Sequence, residues 1–132
     1  MNKGAEADMD LKQAALTYKK TSIDTMPAVE YVQLLLRTCS KYMEEAKHAI
    51  LSGEIELRNH SISRAQELVV ELISATDPSK VGGKRQIALC EFISRRMVEA
   101  HIKKDIDILE EAQKLIDELA ALWDSGNIRR KN

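Results

Sequence analysis

No sign of charge dominates this sequence. Its 20 lysines and arginines stand against 21 aspartates and glutamates, a net charge of −1 with a pI near 6.3. No global field therefore draws in nucleic acid or an acidic membrane. The basic cluster Arg129, Arg130 and Lys131 reads as a solvated terminus. No run approaches the roughly 20 apolar residues of a membrane span, and the start MNKGAEADMDLK has no apolar stretch of the signal-peptide kind. The expected location is the cytoplasm, with no membrane insertion and no nucleic-acid partner.

Cysteine is equally scarce. Cys39 and Cys90 each sit inside an apolar helical repeat, without the paired spacing of a zinc or redox motif, and read as buried free thiols. A metal site is tested by Glu45 and His48, which form a Glu-x-x-His pair. A di-iron bundle needs that motif on two helices plus inward glutamates on two others. Here it occurs once, and the periodicity puts His48 on a polar face. His60 and His101 have no nucleophile and orienting acid arranged with them; His101 falls at the core edge of its helix and reads as a hydrogen-bonded structural side chain. The glycines of PSKVGGKR, residues 78–85, stand beside lysines but lack the preceding strand and full pattern of a phosphate loop, so they read as a flexible turn. Neither an enzyme, a metal nor a cofactor is expected.

Proline and glycine are few, and their positions organise the chain. Pro27, Gly53, Pro78, Gly82, Gly83 and Gly126 separate helix-length runs, predicting helices over about 27–51, 55–75, 85–102 and 105–124. Pro27 suits a first helical turn, Gly53 a C-terminal cap, and Asp105 an N-cap. Short connections make neighbours antiparallel, so the expected fold class is all-α, an up-and-down four-helix bundle. Residues 1–13 are expected to form a mobile tail, 14–125 the bundle with a short helical or extended segment at its start, and 126–132 a second tail.

The first long helix carries Val29, Val32, Leu36, Cys39, Met43, Ala46 and Ile50 at spacings of three and four, the seam of a bundle. Beside it runs a second row, Ala28, Tyr31, Leu35, Tyr42 and Ala49. The apolar arc thus spans nearly half the helix and offers more surface than one seam requires. The seams continue through Ile55, Ile62, Ala65, Val69 and Leu72; through Cys90, Ile93, Met97 and Ala100 with Leu89 and Phe92 beside them; and through Leu109, Ala112, Leu115, Ile116, Leu119, Leu122 and Trp123. In the segment SRRMVEAHIKKDIDILEE, Glu91, Arg95 and Glu99 are spaced to pair along one exposed face.

Several stretches, in order, resemble the flagellar export chaperone family FliS. ALCEFISRRMVEAHIKKDIDILEEA, residues 88–112, is similar to the family signature. So are ISRAQELVVEL, residues 62–72, EEAKHAI, residues 44–50, Trp123 near the end of the last helix, and Tyr18 with Thr25 and Pro27 before the first. The chain departs from the family with Met26 in place of a serine, Cys90 and Phe92 in place of two tyrosines, and His101 in place of an asparagine.

The resemblance implies a cytoplasmic chaperone. It would bind the disordered C-terminal segment of flagellin, prevent early polymerisation and aid delivery to the flagellar type III export gate. The excess apolar arc then has a use, because a partner helix can lie along it. Tyr31, Leu35, Tyr42, Leu89 and Phe92 become candidate partner-binding residues, Tyr18 and Ile23 a plug displaced by the client, and Arg95 and Arg96 a motif that orients the helix or meets a partner's acids. The alternative is a helical adaptor or regulator with a partner other than flagellin.

Overall fold

A computed structural model of the chain describes residues 28–126. They form four helices, α1 (Ala28–Ser52), α2 (Ile55–Ala75), α3 (Gly83–Lys103) and α4 (Ile106–Asp124), with no strand among the described residues. α1 packs against α2 and α4, and α3 packs against the same two helices. The result is the expected all-α, up-and-down four-helix bundle, in which every helix has two close neighbours. The extra turn expected around residues 14–20 lies outside the described residues.

The corners follow from local chemistry. α1 stops where Gly53 adopts a left-handed backbone, φ 75°. The Gly53 N–H donates to the Ile50 carbonyl at 3.3 Å and the Glu54 N–H to the Ala49 carbonyl at 2.9 Å, the paired bonds that close a helix end. α3 stops the same way without glycine. Lys104 takes φ 54°, its N–H donates to His101 at 3.4 Å, and the Asp105 N–H donates to Ala100 at 3.0 Å. Asp105 then caps α4, accepting from the Asp107 and Ile108 amides at 2.9 and 3.2 Å. One sequence, Lys104-Asp105, therefore closes one helix and opens the next.

The double glycine is not a loose turn. Gly82 is left-handed, φ 80°, and Gly83 is already the first residue of α3, buried so tightly that an added Cβ would run into the Asp77 carbonyl. α3 thus begins two residues before its expected start, pressed on the beginning of the α2–α3 connection.

The core is aliphatic and sulfur-rich. Leu35, Leu36, Cys39, Met43, Ile62, Val69, Leu72, Cys90, Ile93, Met97, Leu109 and Ile116 are all at most 1% exposed. Burial pushes the Cys39 thiol well above the usual range and the Cys90 thiol to about 11.

Three expectations are corrected here. The second row of α1 is core apart from the exposed Ala28 at the helix start: Tyr31, Leu35, Tyr42 and Ala49 are 8, 1, 8 and 1% exposed. The Tyr31 hydroxyl donates to Glu71 of α2 at 2.8 Å, and the Tyr42 ring meets His60 of α2 edge-on at 6.3 Å. The row therefore faces α2. The wide arc reflects a helix with two neighbours rather than surface left over. Ile55 and Leu122, assigned to seams, are instead 59 and 47% exposed.

Candidate docking surface

The other flank of α1 is polar and meets α4. Ser40 donates to Asp117 at 2.6 Å, Gln113 donates to Glu44 at 3.1 Å, and Lys47 sits 3.1 Å from Glu44 and 3.6 Å from Glu110. The Gln113 bond, followed by the Lys47 bond, holds the Glu44 carboxyl below its ordinary range. A shallow, open cleft lies here, lined by Lys47, Glu110, Gln113, Lys114, Asp117, Glu118 and Ala121. Lys47 and Glu110 pair across it and Asp117 accepts from Ser40, contacts that suit a zipper between helices.

A row of partly exposed apolar side chains runs instead along the α3–α4 seam. Leu89, Phe92 and Arg96 stand three and four residues apart and so share one face of α3. Arg96 reaches α4, where its Nη2 lies 2.7 Å from Glu111, and its Nη1 lies 2.5 Å from Glu99 on its own helix. Glu111, Leu115 and Leu122 share the matching face of α4 by the same spacing. Phe92 is 40% and Leu122 47% exposed, while Leu89 and Leu115 are half-buried against the core. These four side chains make an apolar strip about 10 Å long, the seven-residue step from Leu115 to Leu122 at 1.5 Å per residue.

Polar contacts between α3 and α4 bracket the strip. Arg96 and Glu111 close one end. At the other, the Trp123 indole N–H donates to Gln86 Oε1 at 2.9 Å. The bonds to Glu111 and Glu99 keep Arg96 firmly cationic, and Glu99, bonded first to Lys103, is held below the ordinary carboxyl range. Glu99 pairs with Arg96 and Lys103 rather than with Arg95, which is exposed on the outer surface of α3. The expected Glu91–Arg95–Glu99 ladder is replaced by a bridge between helices.

The structure thus brings Leu89, Phe92 and Arg96 together on one strip, leaves Arg95 beside it, and places Tyr31, Leu35 and Tyr42 inside the α1–α2 interface. Tyr18 and Ile23 lie outside the described residues. Sequence reasoning missed Leu115, Leu122 and Glu111 as strip residues; their alignment at spacings of four and seven was the available signal. Other exposed apolar side chains lie off the strip: Leu51, Ile55 and Ile102 at the end of the bundle where α1 and α3 finish, Val98 one turn before Ile102 on α3, Val81 in the α2–α3 connection, and Val70 among Ser63, Glu67 and Ser74 on the outer face of α2.

The Glu-x-x-His pair and His101 have local partners. His48 lies 3.2 Å from Glu44, while Glu45 accepts from Ser61 at 2.6 Å, so the Glu-x-x-His pair is divided between separate contacts. His101 Nε2 is 2.9 Å from Asn59 Oδ1, and burial, then the nearby Arg58 charge, lowers its pKa. Among the described residues no group of three or more His, Cys, Asp or Glu side chains is placed to hold a metal ion. No described helix is long and apolar enough to cross a membrane.

The family model "Flagellar protein FliS" matches residues 11–130. The chain belongs to the FliS family. Similar FliS proteins include the flagellar secretion chaperone FliS of Bacillus subtilis (strain 168), 24% identical over 115 residues, 87% of this chain and 86% of the relative. That of Vibrio cholerae serotype O1 (strain ATCC 39315 / El Tor Inaba N16961) is 24% identical over 113 residues, 81% of this chain and 83% of the relative. The signature-like stretch of this FliS member, residues 88–112, covers most of α3, the Lys104 corner and the start of α4. It holds three of the strip's contributors, Leu89, Phe92 and the Arg96–Glu111 bridge.

Proposed function

We propose that this FliS member is a cytoplasmic flagellar export chaperone that acts by binding, without catalysis. Its client is the disordered C-terminal segment of flagellin, which it keeps from polymerising early and helps deliver to the export gate. Family membership supports the role, and the two relatives named as flagellar secretion chaperones support the class of client. The observation that carries the site is the bracketed strip of Leu89, Phe92, Leu115 and Leu122.

An amphipathic segment folding onto that strip would bury its own apolar stripe against Phe92 and Leu122, with the exposed Arg95 near its polar edge. Ordering a disordered client offsets about 2–5 kcal/mol of the contact energy. Binding of moderate strength follows, which suits a cargo that must be released. Tyr18 and Ile23 retain their proposed role as a plug that the client displaces.

The test is a calorimetric titration with a flagellin C-terminal peptide. Wild type binds at peptide concentrations on the order of 10 μM. Phe92→Asp and Leu122→Asp each weaken binding about tenfold while the helical circular dichroism is retained, since both side chains already meet solvent. Wild type without measurable binding defeats the client assignment. Full binding by both variants defeats the strip.

A further inference from the structure

A hydrogen-bond chain, buried at its Trp123 end, crosses the end of the bundle where α1 begins and α4 ends. It starts at the Trp123 indole N–H, which donates to Gln86 Oε1 at 2.9 Å. Gln86 Nε2 then donates to Thr76 Oγ1 at 2.7 Å, and the Thr76 hydroxyl donates to the Leu72 carbonyl at 2.7 Å. Gln86 is 7% and Trp123 8% exposed, so water has little access to replace the bond between them, while Thr76 is half-buried.

The chain has one direction. An indole nitrogen only donates, which requires the carbonyl end of Gln86 to face it. The amide NH₂ must then face Thr76, whose own proton is left for Leu72. Rotating the Gln86 amide by half a turn would set two donors against each other at Trp123. A single orientation is therefore enforced across α4, α3 and α2.

The same turn of α4 is also held from α1. Gln33 Nε2 donates to Asp124 Oδ1 at 2.9 Å and to the Trp123 carbonyl at 3.4 Å. Trp123 is thus held at its ring by α3 and at its backbone by α1, which fixes the rotation of the last turn of α4. Leu122 precedes Trp123, and that rotation turns it outward onto the α3–α4 strip.

We propose that Gln86 is a positioning residue for client binding: by fixing the Trp123 ring it sets the place of Leu122 on the strip, which it does not itself line. This rests on the strip reading above and adds to it a specificity determinant hidden inside the bundle. An apolar residue of similar length at position 86 would fill the space yet leave the indole N–H without its acceptor, and the last turn of α4 would shift.

The experiment compares wild type, Gln86→Met and Val69→Ala, the last a fully buried α2 side chain used as a stability control. Flagellin C-terminal peptide is titrated at a temperature where circular dichroism shows all three folded. Backbone amide exchange is followed over Leu119–Asp124. Gln86→Met is expected to speed exchange in that turn and raise Kd about fivefold, while Val69→Ala leaves both close to wild type. A merely structural role predicts equal Kd values for both variants and wild type, which would overturn the proposal. Wild type without peptide binding would instead defeat the client reading; the exchange data then decide positioning alone, and unchanged exchange in Gln86→Met would overturn it.

Discussion

Lys104 occupies a backbone conformation that glycine adopts without steric cost. With φ at 54° its Cβ crowds the neighbouring carbonyl, a conformation that costs an L-residue about 1–2 kcal/mol. It persists because the closing bonds to His101 and Ala100 and the Asp105 cap all depend on the reversal happening there. A lysine after a helix also interacts favourably with the C-terminal dipole, though only by a few tenths of a kcal/mol at an exposed site. Lys104→Gly is therefore expected to stabilise the protein by roughly 0.5 kcal/mol, the backbone relief being partly offset by the freer unfolded chain. A urea titration with unchanged slope and a higher midpoint checks this. A lower midpoint would mean that the side chain of Lys104 contributes more than its strain.

At the scale of the helix, the lesson lies in α1. Its seam residues and the helix ends were legible, because a three-four spacing and the punctuation at Gly53 and Asp105 are written locally. Its environment was not, because periodicity shows which residues are apolar but not how many neighbours cover them. With α2 on one side, Tyr31, Leu35, Tyr42 and Ala49 became interface; with α4 on the other, Gln33, Ser40 and Glu44 became a polar zipper that reads as solvent face in sequence. Leu122 was misplaced for the converse reason, since it lies at the edge of the apolar arc of α4, about 60° round the helix from the buried Leu119 and beyond the core contact. Leu35→Asp would bury a carboxylate at a site 1% exposed, costing about 4 kcal/mol or more. It should lower the thermal midpoint severely or abolish helical circular dichroism, whereas Phe92→Asp should change stability by only about 1 kcal/mol. A Leu35→Asp protein melting like wild type would show that the row is surface after all.

For the whole molecule, the arrangement of contacts predicts a single cooperative unit. Each helix packs on two others, and the end where α1 begins and α4 ends is tied by bonds from Gln33, Trp123, Gln86 and Thr76 that involve all four helices. Trp123 is the sole tryptophan, and Cys39 and Cys90 are both 0% exposed in the core. Three probes therefore report on different depths of one structure: indole fluorescence at the tied end, thiol labelling at the centre, and circular dichroism for all helices. Their urea transitions should coincide, as an all-or-none domain requires. Thiol labelling by a water-soluble reagent in native buffer should be slow and should track global opening, because burial both hides the thiols and keeps them protonated. If the indole signal moved at lower urea than the other two, the end of α4 would be opening by itself. The four-helix tie would then be weaker than its hydrogen bonds imply, and the strip would lose its fixed edge before the core came apart.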